Sequence, residues 1–151
     1  MTSKPYDFTP RFGFLVNEVG RLYGRRFDQL SRQQLGLSRA QCRLLGVLAS
    51  HEGERPLSQA ELADRLDLTA MGVASLCERM EAAGWIRRST SPTDRRINEI
   101  ELQPRAMEAL DAALVIGDRL QSEVLATLAD EDRERLLVLL KKVHANLVGE
   151  G

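Results

Sequence analysis

Pro56-Leu57-Ser58-Gln59-Ala60-Glu61-Leu62-Ala63-Asp64-Arg65-Leu66, with the run that follows it to Leu102, decides the fold. Ser58-Gln59-Ala60-Glu61 is an S-x-x-E pattern: the serine oxygen accepts from the backbone N–H three residues on, and the glutamate reaches back to the serine N–H. A helix is therefore expected to begin here. Leu62, Ala63 and Leu66 supply its apolar face, and Asp67-Leu68 breaks it. Thr69 then caps a second helix, 69–83, in which Val73, Leu76, Met80 and Ala83 recur at spacings of three and four before Gly84 stops it. Two short strands follow, 85–90 and 98–102, the second with Asn98, Ile100 and Leu102 alternating with Glu99 and Glu101. Between them Ser91-Pro92-Thr93-Asp94 has serine at the first and proline at the second position of a type I turn, which leaves arginines at the tip of a hairpin.

A short helix, a turn, a second amphipathic helix and a β-hairpin make a winged helix-turn-helix, the unit that lays its second helix in the DNA major groove. The expected fold is mainly α with a small β-hairpin wing. On helix 69–83, Thr69 and Ser75 are the clearest hydrogen-bonding groups, Met71 and Ala74 can touch thymine methyls beside Gly72, and Arg79 is placed for phosphate. Backbone N–H groups near Ser58 and Gln59, at the start of the first helix, are expected to take another phosphate. Asp94-Arg95-Arg96 reads either as a solvated turn or as arginines for the narrow minor groove, one of them oriented by Asp94.

These residues resemble the MarR-type transcriptional regulators. The likeness runs from Gly36-Leu37-Ser38-Arg39-Ala40-Gln41 through Gln59-Ala60-Glu61-Leu62-Ala63 and Met80-Glu81-Ala82-Ala83-Gly84 to the wing signature Asp94-Arg95-Arg96. In that family the wing signature tips the hairpin and sends an arginine into the minor groove. The resemblance also implies a homodimer joined by N- and C-terminal helices, and a small-molecule cleft between those helices and the winged helix. On this chain the cleft would draw on Phe12, Val16, Cys42 and Leu45, with Arg11 and Arg43 nearby as anion partners. Two stretches depart from the family pattern. The chain has Leu102-Gln103-Pro104-Arg105-Ala106 where the family usually has Leu-Thr-x-x-Gly, and its second helix opens with the apolar, small-residue run Ala70-Met71-Gly72-Val73-Ala74-Ser75.

Working outward, residues 9–33 read as one long helix with Phe12, Leu15, Val16, Val19, Leu22, Tyr23, Phe27 and Leu30 on a broad apolar stripe, and Arg21, Arg25, Arg26 and Arg32 on its polar side. Ser38 caps a helix to about Ser50, with Leu44, Leu45, Val47 and Leu48 inward. Helical spacing resumes over 104–128. Asp130 is expected to cap a last helix carrying Leu136, Leu137, Leu140, Val143 and Leu147 on one face. The chain thus reads as a single domain: a winged helix-turn-helix over 38–102, with 9–33 and 104–148 as dimerisation helices. Those terminal helices hold more apolar surface than one small core needs, and the surplus calls for a symmetric partner.

The 151 residues are 43% hydrophobic and 28% charged, a globular composition. The N-terminal Met1-Thr2-Ser3-Lys4-Pro5-Tyr6-Asp7 lacks the apolar run of a secretion signal, and a cytoplasmic protein without membrane contact is expected. Net charge is −1, but unevenly spread: +5 over residues 1–50, −4 over 51–84, +2 over 85–100 and −4 over 101–151. Local charge is what a phosphate meets.

No glycine-rich phosphate loop, zinc-ligand spacing or nucleophile motif is present, so an enzyme is not expected, nor a cofactor or metal. Cys42 and Cys77 do not make a disulfide framework and read as small buried hydrophobes. The function expected is a homodimeric regulator of a palindromic double-stranded DNA operator, a repressor relieved by a small aromatic or anionic molecule. Two alternatives stand beside it: a protein-interaction module on a winged-helix scaffold that does not read DNA, and a thiol-based redox-responsive regulator.

Overall fold

A computed structural model describes residues 6–149; residues 1–5, in the stretch read above for a secretion signal, lie outside the described residues. The elements run α1 (Phe12–Leu35), α2 (Arg39–Ala49), β1 (Leu57–Ser58), α3 (Gln59–Leu66), α4 (Ala70–Ala82), β2 (Ile86–Thr90), β3 (Asn98–Leu102), α5 (Pro104–Val124) and α6 (Asp130–Val148). The chain up to Ile116 forms one compact unit and the chain from Gly117 a second. No helix of the described residues is long and apolar enough to cross a membrane.

Reciprocal side-chain capping sets the starts of α2 and α3. Ser38 accepts from the Gln41 N–H at 3.1 Å while Gln41 accepts from the Ser38 N–H at 2.8 Å, and Ser58 and Glu61 repeat the exchange at 3.1 and 2.8 Å. The Asp28 carboxylate on α1 takes the Arg39 N–H at 2.8 Å, tying α1 to the first turn of α2. Helix α1 starts three residues later than expected, because Asp7 captures the Thr9 N–H and hydroxyl and holds Thr9-Pro10 as a turn. It ends at Gly36 (φ 68°), whose left-handed backbone brings the Leu37 N–H back to the Ser31 carbonyl.

The core of the first unit gathers Leu37, Leu44 and Leu45 with Leu57, Leu62, Leu66, Val73, Leu76, Met80, Ile86 and Ile100. Each such side chain removed from water contributes about 1.5–3 kcal/mol before entropy is counted. Ala106, Ala109 and Ala113 bring α5 onto the same core. On α4 the fourth inward residue is Cys77, not Ala83, which is exposed. On α1, by contrast, Phe12, Leu15, Val16, Val19 and Leu22 of the expected stripe are exposed within the chain.

The sheet has three strands where a two-stranded hairpin was expected. Leu57 pairs with Ile100 and Ser58 with Glu99, so β3 is central in the order β1-β3-β2. Two residues are too short a strand to show in an alternation pattern. With neighbours on both sides, Glu99 is buried between Ser58 and Ser89 rather than projecting to solvent. Trp85 precedes β2 rather than opening it.

The last helices also shift. Helix α5 stops at Val124, four residues early, in a run of turns. Ala129 takes the cap position of α6, and Asp130, Glu131 and Asp132 fill its first turn, where carboxylates favour the positive end of the helix dipole. No residue of α6 is buried within the chain.

Two predictions follow from the Ser58–Glu61 exchange. Ser58→Ala is expected to lower unfolding stability by about 1 kcal/mol, the usual loss for a serine cap, read by denaturant titration. Glu61 is held down to a pKa of about 2, first by the Arg55 guanidinium and then by the Ser58 N–H. A depressed carboxylate contributes stability that is complete above its ordinary value of 4.5 and is lost as pH falls toward 2. Glu61→Gln should therefore flatten the stability profile between pH 4.5 and 2 and leave its shape above pH 6 unchanged; an unaltered acid limb would exclude the pairing.

Candidate nucleic-acid interface

Three local structures meet on one surface: the first turn of α3, the first turn of α4, and the loop between β2 and β3. Between α3 and α4 the chain reverses at Asp67, the one non-glycine with positive φ (53°) among the described residues. The Leu68 N–H returns to the Ala63 carbonyl at 3.0 Å, and Thr69 Oγ1 accepts from the Gly72 N–H at 3.0 Å to start α4. Gly72 is a close fit there, since a Cβ would stand 3.1 Å from that hydroxyl oxygen. With Val73, Leu76, Cys77 and Met80 inward, α4 turns Met71, Gly72, Ser75, Glu78 and Arg79 outward, and Ala74 is half-buried at the edge of that face. Met71 is 83% exposed, the largest such value among the large apolar side chains of the described residues.

The wing tip is built differently from the expected turn. The Ile97 N–H bonds to the Asp94 carbonyl, so the reversal is Asp94-Arg95-Arg96-Ile97, while Ser91-Pro92-Thr93 is a side-chain turn in which Ser91 Oγ accepts from the Thr93 N–H. Asp94 Oδ1 takes both the Arg96 N–H (3.0 Å) and its Nε (3.2 Å), and Oδ2 takes Nη2 (3.1 Å). These bonds, the side-chain one foremost, hold the Asp94 carboxyl below the usual carboxylate range. They also aim Arg96, whose side chain is 89% exposed. Arg87 pairs with Glu101 and Arg88 with Glu81, so the positive charge the wing offers outward belongs to Arg95 and Arg96.

Ser58 at the end of β1, Gln59 and Ala60 of α3, Ala70 of α4, and Arg96, Ile97 and Asn98 of the wing line one cavity of about 320 Å³. Ile97 and Asn98 were not singled out from sequence, because only the β1–β3 pairing carries the base of the wing to α3. Gln59 Oε1 is buried there without a hydrogen-bond partner. The Ser58 N–H donates to Glu61, as the S-x-x-E pattern implies, so a phosphate at this helix start is left to the neighbouring backbone N–H groups. Glu78, also unremarked in the sequence, places a carboxylate on the exposed face of α4 beside Ser75 and Arg79.

Phe12, Val16, Cys42 and Leu45 divide by burial within the chain. Cys42 and Leu45 are packed in the core, while Phe12 and Val16 lie exposed on α1. A concavity of about 910 Å³ opens over α1 and the start of α2, walled by Arg21, Arg25, Arg26, Arg32 and Arg39 above Gly20 and Gly24. Glu18 neutralises Arg21, and Asp28 neutralises Arg32.

The MarR family model matches residues 35–97. Over that stretch the chain matches the family model, and its fold is that of the MarR-type winged helix-turn-helix. The HosA transcriptional regulator of Escherichia coli O111:H- is 29% identical over 127 residues, 84% of this chain and 92% of that protein. Wild-type MarR from E. coli in its apo form superimposes with a TM-score of 0.78 at 22% identity, over 87% of this chain and 96% of that one. The Staphylococcus aureus MepR–DNA complex gives 0.72 at 23% identity, over 89% and 97%. At the level of the family, these likenesses support DNA-binding transcriptional regulation by a winged helix-turn-helix.

Both cysteines are buried, and burial pushes each thiol pKa up from its ordinary value. That is the reverse of what a reactive thiolate needs. In the native protein both are expected to resist a disulfide reagent at neutral pH and to react fully once denaturant unfolds the chain. Rapid titration of either in the folded state would restore the thiol-switch reading.

Proposed function

We propose that the protein acts as a homodimer that binds a palindromic DNA operator and represses transcription there. The observation that carries this reading is the shared cavity at the starts of α3 and α4 and the base of the wing, since it gives one continuous face to the two elements that must enter adjacent grooves. In this reading α4 lies in the major groove. Ser75 hydrogen-bonds base edges, Met71 and Ala74 meet thymine methyls, Gly72 allows close approach, and Arg79 with the Thr69 end of the helix contacts phosphate. Arg95 and Arg96 enter the minor groove, Arg96 pre-aimed by Asp94. The amide of Gln59, with its unpartnered oxygen, supplies a polar group at the same surface. A protein of similar fold was solved on DNA, which supports the arrangement.

Dimerisation through residues 9–33 and 104–148 is supported by apolar side chains left exposed in each unit taken by itself: Phe12, Val16 and Val19 on α1, and Leu137, Val138, Leu140 and Leu147 on α6. A soluble chain rarely leaves such faces open. Release of the operator by a small anionic molecule is the finer part of the proposal. The arginine-walled concavity over α1 is better furnished for an anion than the four apolar residues read from sequence. The molecule must bind the DNA-incompetent arrangement more tightly, or nothing shifts.

Selection of duplexes by the purified protein from a random-sequence library, followed by gel shift across a salt series, tests the reading. Recovered sequences should be palindromic, with half-sites about one helical turn apart. Recovery of no preferred sequence would leave a winged helix that does not read DNA. Arg96→Ala is expected to weaken binding to the selected duplex by about 1–3 kcal/mol without lowering thermal stability, because the tip carries no core. Sedimentation is expected to give a dimer at micromolar concentration, and a folded monomer would remove the palindrome with it.

A further inference from the structure

The C-terminal end of α4 and the first turn of α5 are closed into a ring of contacts around Trp85. Past α4 the chain turns at Gly84 (φ 80°), and the Trp85 N–H returns to the Met80 carbonyl at 3.0 Å. The Trp85 carbonyl accepts from the Gln103 N–H at 3.0 Å, and the Gln103 carbonyl accepts from the Ala106 N–H inside α5. Arg105 completes the ring. Its Nη1 donates to the Ala83 carbonyl at 2.5 Å, and its guanidinium carbon stands 3.9 Å from the Trp85 ring centroid.

Ala83 is at the negative end of the α4 dipole, where a cation is favoured. A guanidinium can stack on an indole face and donate in its own plane at once, which an ammonium cannot. The rest of the contact is weakly specified. Helix α5 meets the core through Ala106, Ala109 and Ala113 with Leu110 partly buried beside them, and the three methyl groups give shallow ridges that tolerate a range of crossing angles. A directional clamp at one end is then what fixes the angle. It occurs where the chain has Gln103-Pro104-Arg105-Ala106, the stretch that departs from the usual family pattern.

We infer that Arg105 is a positioning residue for DNA recognition: without touching DNA, it sets the angle of α4 against α5. This rests on the dimeric, operator-binding reading above, in which α5 belongs to the dimer interface. There, the α4–α5 angle governs the spacing of the two recognition helices.

Arg105→Ala and Arg105→Lys test it in the full-length dimer, with the selected duplex and two derivatives whose half-sites are moved one base pair apart or together. Trp85 is the sole tryptophan, so its fluorescence reads the clamp directly. Both variants are expected to expose Trp85 to acrylamide, keep the dimer, and lose about tenfold in affinity, the scale of one good contact. They should also discriminate less sharply against the altered spacings, with an unchanged salt slope. Should the alanine variant not fold, the lysine variant decides. Wild-type affinity in Arg105→Lys, a salt slope reduced by about 0.9 as for one lost phosphate contact, or undiminished spacing discrimination would each overturn the inference. If the wild-type protein selects no duplex, the DNA reading fails first and takes this one with it. If it selects one that the variants bind equally well, only the positioning role is lost.

Discussion

Ser58 has to serve the sheet, the helix and the candidate interface at once. Its backbone pairs with Glu99 in the central strand, its hydroxyl accepts from the Glu61 N–H, its own N–H goes to the Glu61 carboxylate, and its side chain forms part of the cavity wall beneath Arg96. The wing and the helix-turn-helix are therefore not two modules joined by a loop. A displacement of β3 has to move the first residue of the α3 cap, and with it the two helices that follow. Arg55 reinforces the joint by holding the same Glu61 carboxylate through both of its oxygens. Taken alone, that solvent-exposed ion pair contributes little to stability. Its larger effect is geometric, because it keeps the acceptor of the Ser58 N–H in place.

The winged helix-turn-helix has a core of its own, whereas much apolar surface of α1 stays uncovered in the chain and no residue of α6 is fully buried. In α1 the division falls within one helix. Gly24 and Ser31 are buried and Phe27, Leu30 and Leu35 partly so, while Phe12 to Leu22 is open. The C-terminal half of α1 is folded by its own chain, through Asp28 and the α2 cap. The N-terminal half has the composition of a core without the neighbours of one, which is the physical basis for assigning it to a second copy.

The capped helices and the turn between α3 and α4 were legible because each rests on side-chain chemistry at fixed offsets: Ser58 with Glu61, Ser38 before Gln41, Thr69 before Gly72. Non-local pairing was not. Strand β1 has no pattern of its own, and its partner lies more than forty residues away, so the burial of Glu99 and the arrival of Asn98 at the start of α3 could not be read locally. The wing turn was misplaced by three residues. Ser-Pro is a good turn opener, but Asp94 offers a carboxylate that captures the Arg96 N–H and side chain together, and that competing closure prevailed. Helical spacing likewise reports an apolar face and cannot say whether a neighbour covers it, so Leu45 and Phe12 look alike in sequence and differ completely in burial.

Charge shows the same dependence on pairing. The sequence assigns the wing region +2 from four arginines, but Arg87 and Arg88 are spent on Glu101 and Glu81, and Arg96 shares its charge with Asp94. What a duplex would meet is an unshared Arg95 and a restrained Arg96 beside an α4 face that carries Glu78 as well as Arg79. Fields from the acidic C-terminal region fall off over a Debye length of about 8 Å at physiological salt. A net charge of −1 thus does not prevent local attraction, but it removes the long-range pull that makes strongly basic proteins bind any DNA. On the proposed dimeric reading, a protein with so few unpaired cations on its reading face depends on shape, on groove width at the wing and on the separation of two helices. For such a protein the angle of α4 matters more to affinity than any further positive charge on its surface.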